Sequence, residues 1–224
     1  MTNADAETLS ARAALAIEAD ILAGRLAPET RLGIVETSTR YGVGATPLRE
    51  ALSRLAARGL VNAIGNRGFR VTSISRADLA DIVLIRQTIE REALRISMAR
   101  GDSAWEADIL GALHKLKRRV TDDPRGFREG DAAFDAFHKG FHAALIAACG
   151  SPRLIAAQSQ LYDEAYRYRR LMMASFQNAD DFLRNHERLA ELIVARSDAA
   201  ATALEEHIAS TLKLVYPAAP ENIA

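Results

Sequence analysis

Apolar residues at Leu9, Ala13, Ala16, Ile17, Ile21 and Leu22 recur at three- and four-residue spacing, so the chain opens on a helix that Gly24 ends and Pro28 turns. A short helical segment from Ile34 to Tyr41 stops at Gly42. Thr46-Pro47 then opens a run in which Leu48, Ala51, Leu52, Leu55 and Leu60 line one face; Thr46 is the expected N-cap and Pro47 the first helical position, where a missing N–H costs nothing. Next come Leu60 to Ile64, the turn Gly65-Asn66-Arg67-Gly68, and Phe69 to Val71, which read as two short strands around a hairpin turn. From Ser75 onward the period is helical throughout. It predicts helices over roughly 75–100, 103–121, 127–149, 152–176, 179–196 and 198–215, broken at Gly101-Asp102, Asp122-Asp123-Pro124, Gly150-Ser151-Pro152, Asn178 and Ser197-Asp198.

The expected fold is therefore mostly α in two parts. Residues 1–74 follow the layout of a winged helix-turn-helix with a small β-hairpin wing. Residues 75–216 form an all-α bundle of about six helices joined by short connections, and 217–224 form a C-terminal tail.

Composition narrows the setting. Nearly half the residues are apolar, which suffices for a buried core, and no stretch reaches the roughly 18 uncharged apolar residues of a membrane span. The single cysteine, Cys149, rules out an intramolecular disulfide and a cysteine-based zinc cluster, and reads as a small core residue; the expected location is the cytoplasm. The zero net charge hides an uneven distribution. Residues 1–74 carry nine Arg and no Lys against seven acids, and between 40 and 70 six Arg face only Glu50. A local excess of fixed positive charge attracts a phosphate backbone, although Arg also decorates ordinary solvated helices.

In a helix-turn-helix the second helix enters the major groove and presents its N-terminal residues to base edges. Thr46 and the leading N–H groups of that helix suit a phosphate, Arg49 one turn on reaches a base edge or a second phosphate, and Arg40 is a further phosphate candidate. Arg67 and Gly68, at the hairpin tip, are the expected wing contact, with the guanidinium in the minor groove. Arg54 and Arg58 read as solvated residues or as contacts between the two parts.

Four of the five histidines fall at informative places. His138 and His142, four apart, project from one helix face, and His186 and His207 lie on two later helices. Their spacing suits a shared divalent ion in a bundle core but equally suits separate core or surface histidines. His114, among Lys115, Lys117, Arg118 and Arg119, is expected to face solvent.

The segment Gly42-Val43-Gly44-Ala45-Thr46-Pro47-Leu48-Arg49-Glu50-Ala51-Leu52, with Gly59-Leu60-Val61 and Arg67-Gly68 beyond it, resembles the head of the GntR superfamily of bacterial regulators. The departure is Gly44-Ala45, where the family usually has Ser-Arg; losing that Arg implies an altered base preference. Phe141-His142, Gly150-Ser151-Pro152-Arg153-Leu154, His186 and His207 resemble the FCD ligand-binding domain of the FadR subfamily, so the likeness spans nearly the whole chain. Here the departure is His138, which stands where many members have a metal-binding Asp. The resemblance implies a metal held by His138, His142, His186 and His207, zinc first and nickel next, with Asp135 as a supporting acceptor. It also implies Arg86, which begins the Arg-x-x-x-Glu pattern with Glu90, on a pocket-lining helix. Tyr162, Tyr166 and Arg169 then close a pocket for a small carboxylate, and the finer likeness of these segments is to glutarate-responsive members. What the resemblance implies is a homodimeric repressor that binds double-stranded operator DNA and is controlled by that acid. Two rival readings remain at this stage: a metalloenzyme using the histidines, and a constitutive DNA-binding protein whose bundle only dimerises.

Overall fold

A computed structural model describes residues 3–65, 68–123, 127–128, 130–172 and 178–216, and the chain divides into two compact units, residues 1–75 and 76–224. Arg67, expected at the wing tip, and the tail 217–224 lie outside the described residues.

The first unit contains α1 (Asn3–Leu22), β1 (Arg31–Leu32), α2 (Ile34–Tyr41), α3 (Ala45–Ala57), β2 (Val61–Ala63) and β3 (Phe69–Val71). Its core is aliphatic: Ile17 and Ile21 of α1 meet Leu48, Leu52 and Leu55 of α3, and Leu32, Leu60, Val61, Phe69 and Val71 close the sheet side. Complete burial of each such side chain is worth about 1.5–3 kcal/mol, and this is what holds the unit together. The sheet has three strands, ordered β1-β3-β2 and antiparallel, with Leu32 opposite Phe69 and Val61 opposite Val71. The hairpin expected from sequence is there, but β1 is an addition. Two residues offer no alternation to detect, and β1 exists because β3 supplies its partners.

The N-terminus of α3 corrects another expectation. The N-cap is Gly44, with extended backbone and no side-chain cap, and Thr46 and Pro47 are the second and third helical residues. Leu48 is the first to donate its N–H back, 3.1 Å from the Gly44 carbonyl. Pro47 is tolerated there because N–H groups in a first helical turn have no intrahelical acceptor.

The second unit contains α4 (Arg76–Arg100), α5 (Ser103–Asp122), α6 (Ala132–Ile146), a 3-10 turn (Ala147–Cys149), α7 (Pro152–Met172), α8 (Ala179–Val194) and α9 (Ala200–Val215). The long helix α4 packs against α6, α7 and α9, while α5 packs against α6 and α8. Asp102 caps α5 through bonds from the N–H groups of Ala104 (3.1 Å) and Trp105 (3.0 Å), and Asn178 caps α8 through those of Asp180 (2.9 Å) and Asp181 (3.3 Å). The third helix of the bundle starts later than the periodicity suggests. Gly130 adopts a left-handed φ of 91° and Asp131 caps the Phe134 N–H at 2.9 Å, so α6 begins at Ala132, not near 127. Cys149 is buried and His114 is exposed, as expected. Among the described residues no helix is long and apolar enough to cross a membrane.

Candidate metal and anion site, with a candidate DNA-binding face

The buried face of α4 runs through Leu79, Ile82, Val83, Arg86, Glu90, Ala93, Leu94 and Ser97, so a charged pair sits in the middle of an otherwise mostly apolar stripe. Arg86 Nε donates to Glu90 Oε1 at 2.7 Å, with both side chains at most 2% exposed. Burying either charge alone costs several kcal/mol, so each is tenable here only because the other is present.

Helices α6, α8 and α9 aim histidines at this centre. His138 and His142 occupy the buried face of α6 between Phe134, Phe141 and Leu145; His186 lies on the buried face of α8 with Leu183 and Leu189, and His207 precedes Ile208 on α9. Their Nε2 atoms converge: His138 to His186 is 3.0 Å, His138 to His142 is 3.2 Å, and His142 to His207 is 3.4 Å. One donor atom from each lies within 4.8 Å of all the others. A tetrahedral ion with nitrogen ligands at its usual bond length sets neighbouring nitrogens about 3.3 Å apart, so these separations suit a zinc-sized cation.

Protonation chemistry agrees with that fit. Burial, reinforced by the neighbouring histidines and by Arg86 and Arg169, holds His138, His142 and His207 well below 6.5, and burial pushes His186 down to about 4. All four rings are neutral near pH 7, the state a metal requires. The His186 tautomer is fixed because Nδ1 lies 2.7 Å from the Phe182 carbonyl, which can only accept; the Nε2 lone pair therefore faces the cluster. Its one donor is thus used elsewhere, and a shared cation is the economical way to satisfy the converging lone pairs. His142 Nδ1 is buried without a hydrogen-bond partner.

Beside the cluster lies a cavity of about 210 Å³ lined by the four histidines, Arg86, Tyr162, Arg169, Asn178, Asn185 and residues of α9. Arg86 and Arg169 both stack on Tyr162, with guanidinium carbons 5.3 and 4.9 Å from its ring centroid. Asp181 also lines the cavity, but its carboxylate is ion-paired with Arg184. The residues expected around a pocket are therefore together, with Tyr166 as the exception. It does not line the cavity, because its hydroxyl donates to Asp135 and its ring lies under Arg169 at 5.6 Å. Asp135 accepts from Tyr166 and from the Gly130 N–H at 3.2 Å, so it supports a turn and not the His138 ring; burial raises its carboxyl despite those two bonds. Asn178, Asn185 and the Phe182 carbonyl were not legible in the sequence as site groups. The one available clue was Phe182 itself, which precedes His186 by four and so places its carbonyl within reach of a helical histidine.

In the first unit the outward face of α3 exposes Ala45, Thr46, Arg49, Glu50, Ser53 and Arg54, with Pro47, Leu48, Ala51, Leu52 and Leu55 turned inward. The Arg49 side chain has no ion-pair partner among the described residues. Arg40 is engaged: it bonds Asp20 at 2.9 Å, as do Tyr41 at 2.6 Å and Arg25 at 2.7 Å. Burial works against ionisation of Asp20, yet these three donors hold its carboxyl below 3.8. Asp20 escaped the sequence reading because its three partners come from other turns of the chain. Arg58 grips Glu18 through two bonds of 2.6 Å and so fastens α3 to α1, in place of the solvated role expected of it. Gly68 has a φ of 98°, and a Cβ there would lie 2.7 Å from the Leu32 carbonyl, so the end of the wing turn requires glycine.

Comparison with known proteins agrees with this geometry. Residues 9–71 match the family model of bacterial regulatory proteins, gntR family, and residues 81–210 match that of the FCD domain. The chain is 33% identical over 208 residues to the HTH-type transcriptional repressor GlaR of Escherichia coli (strain K12), covering 91% of this chain and 94% of that protein. It is 37% identical over 204 residues to the HTH-type transcriptional regulator BphR of Paraburkholderia xenovorans (strain LB400), covering 89% and 82%. Its fold is similar to that of a GntR transcriptional regulator from Rhodococcus sp. RHA1, with a TM-score of 0.71 at 20% identity over 92% of this chain and 96% of the other. These relatives are regulators and not enzymes, which removes the metalloenzyme reading. The chain belongs to the gntR family of bacterial regulatory proteins and is a transcription regulator whose second unit is an FCD domain.

Proposed function

We propose that the protein is a cytoplasmic, homodimeric repressor that binds operator DNA through α3 and the wing and is controlled by a small carboxylate, glutarate-like in size, held beside a divalent metal in the second unit. The observation that carries this reading is the meeting of four neutral imidazoles with Arg86 and Arg169 at one cavity. Repression is supported by the 33% identity to a protein named as a repressor.

On the DNA side, the exposed N-terminal turn of α3 offers Thr46 and the helix N–H groups to a phosphate, and Arg49 extends toward a base edge or phosphate. Gly44 and Ala45 offer no long donor, so base readout falls more heavily on Arg49. Arg40 reaches a phosphate only by loosening its bond to Asp20, which makes it a lesser contributor. Gly68 shapes the turn that presents the wing. A dimer would place two such helices on a palindromic site.

In the second unit, His138, His142, His186 and His207 would hold a zinc-sized ion, with nickel the next candidate. When bound, the ion supplies positive charge and a coordination position for a carboxylate oxygen. Arg169 then receives the second carboxylate, Tyr162 holds both guanidiniums in plane, and Glu90 keeps Arg86 oriented. A cavity of about 210 Å³ lies below the roughly 300 Å³ of sites that admit drug-sized ligands, which favours a short acid. Acid binding shifts the bundle between two states that differ in the spacing of the paired heads, and operator affinity follows.

The test is a thermal-shift screen of metals and small carboxylates on metal-stripped protein. Ligands that bind only the folded state raise the midpoint with concentration. His142→Ala should lose metal content while retaining basal operator binding, and unchanged metal content in that variant would refute the assigned ligand set.

A further inference from the structure

The donor set has an electrostatic property that follows from its composition. The four rings are uncharged, and no carboxylate belongs to the cluster. Glu90 is committed to Arg86 at 2.7 Å, Asp135 to Tyr166 and Gly130, and Asp181 to Arg184. The other fixed charge facing the cavity, Arg169, is positive and only 5% exposed. A divalent cation on these ligands therefore keeps its whole charge in a buried site that already contains an Arg, and nothing on the protein side offsets it. Uncompensated charge in such surroundings is expensive, whereas two opposite charges brought together in them attract strongly.

We infer that metal and effector bind this protein as a mutually dependent pair, with the acid acting as the missing anionic ligand, and that His138 creates this dependence. The inference rests on the function proposed above and adds its regulation. The effector it selects is a dianion: one carboxylate offsets charge at the metal and the other at Arg169, which a monocarboxylate of equal length cannot do. Metal occupancy then reports the acid, and acid occupancy reports the metal. Because the coupling is thermodynamic, each ligand must tighten the other by the same factor.

Isothermal titration of metal-stripped, full-length protein with zinc, with and without saturating glutarate, measures that factor; glutarate titrated into stripped and zinc-loaded protein measures it again. The expected result is a zinc affinity at least about tenfold higher with glutarate present, mirrored in the reverse titration. Pentanoate should give a clearly smaller factor. His138→Asp supplies an anion from the protein itself, so it should bind zinc more tightly than wild type without acid and show a coupling factor near one. Should that variant fail to fold, Arg169→Gln gives an independent reading, with glutarate weakened and zinc affinity in the absence of acid retained or raised. Zinc and glutarate that both bind wild type but ignore each other would overturn the coupling and leave the proposed function standing. If neither binds, the proposed function and the coupling fall together.

Discussion

The two units bury opposite things. In the first, the interior is aliphatic and the groups proposed to act on DNA stand outside it: Leu48, Leu52 and Leu55 hold α3 from beneath while Thr46 and Arg49 face outward. In the second, the proposed working groups are themselves core: Arg86, Glu90, His138, His142, His186 and Arg169 are all buried. A surface that reads DNA can therefore be altered with little effect on folding, whereas a sensor built from buried polar groups ties ligand chemistry to stability.

The largest expected effect is at the charged pair. Arg86→Ala strands Glu90 in the core and should cost about 3–5 kcal/mol in chemical denaturation, while replacing both residues by apolar ones of similar volume should cost far less. A loss under about 1 kcal/mol for Arg86→Ala would mean that the second unit does not depend on its polar centre in the way described.

Acidification tests the same contrast through the histidines. Their folded-state values lie below the unfolded value of 6.5, so the unfolded chain binds more protons. Stability of the metal-free protein is then fully present above about pH 6.5 and is lost as pH falls toward about 4, with His186 alone accounting for about 3 kcal/mol. A denaturation series across that range should show the decline, and saturating zinc should raise the midpoint at every pH where it still binds. A flat profile from pH 7 to 4.5 would contradict the buried, neutral state of the rings.

The wing comes next. Gly68→Ala combines a left-handed φ with a Cβ 2.7 Å from the Leu32 carbonyl, so it should cost about 1–3 kcal/mol and weaken operator binding. Smallest in stability is Arg49→Ala, expected within about 0.5 kcal/mol of wild type, yet it should lower operator affinity by an amount worth about 1–3 kcal/mol and leave zinc binding untouched. Loss of both operator and zinc binding in this variant would contradict the separation of roles.

The same contrast explains what the sequence disclosed. Six bundle helices were legible because each carries a three- and four-residue apolar stripe, and the α3 face because its apolar and charged residues alternate sides. The elements that were misread depend on partners distant in the chain or on a single backbone dihedral: β1 needs β3, α6 waits for the left-handed Gly130, and Gly44 takes the cap expected of Thr46. The histidine positions pointed to one site, but their convergence to 3.0–3.4 Å is a product of packing three helices together. Tyr166 shows the limit of composition. Its neighbours Tyr162 and Arg169 line the cavity, while a carboxylate thirty-one residues earlier in the chain draws its hydroxyl away.

The central claim is that chemistry in the buried centre of one unit sets the DNA affinity of the other. Fluorescence anisotropy with an operator fragment, selected from a random-sequence pool, tests it most directly on protein that is metal-free, zinc-loaded, or loaded with zinc and glutarate. The account requires operator affinity to change when glutarate joins zinc and to stay constant when glutarate is added to metal-free protein. One affinity across all three states would contradict it.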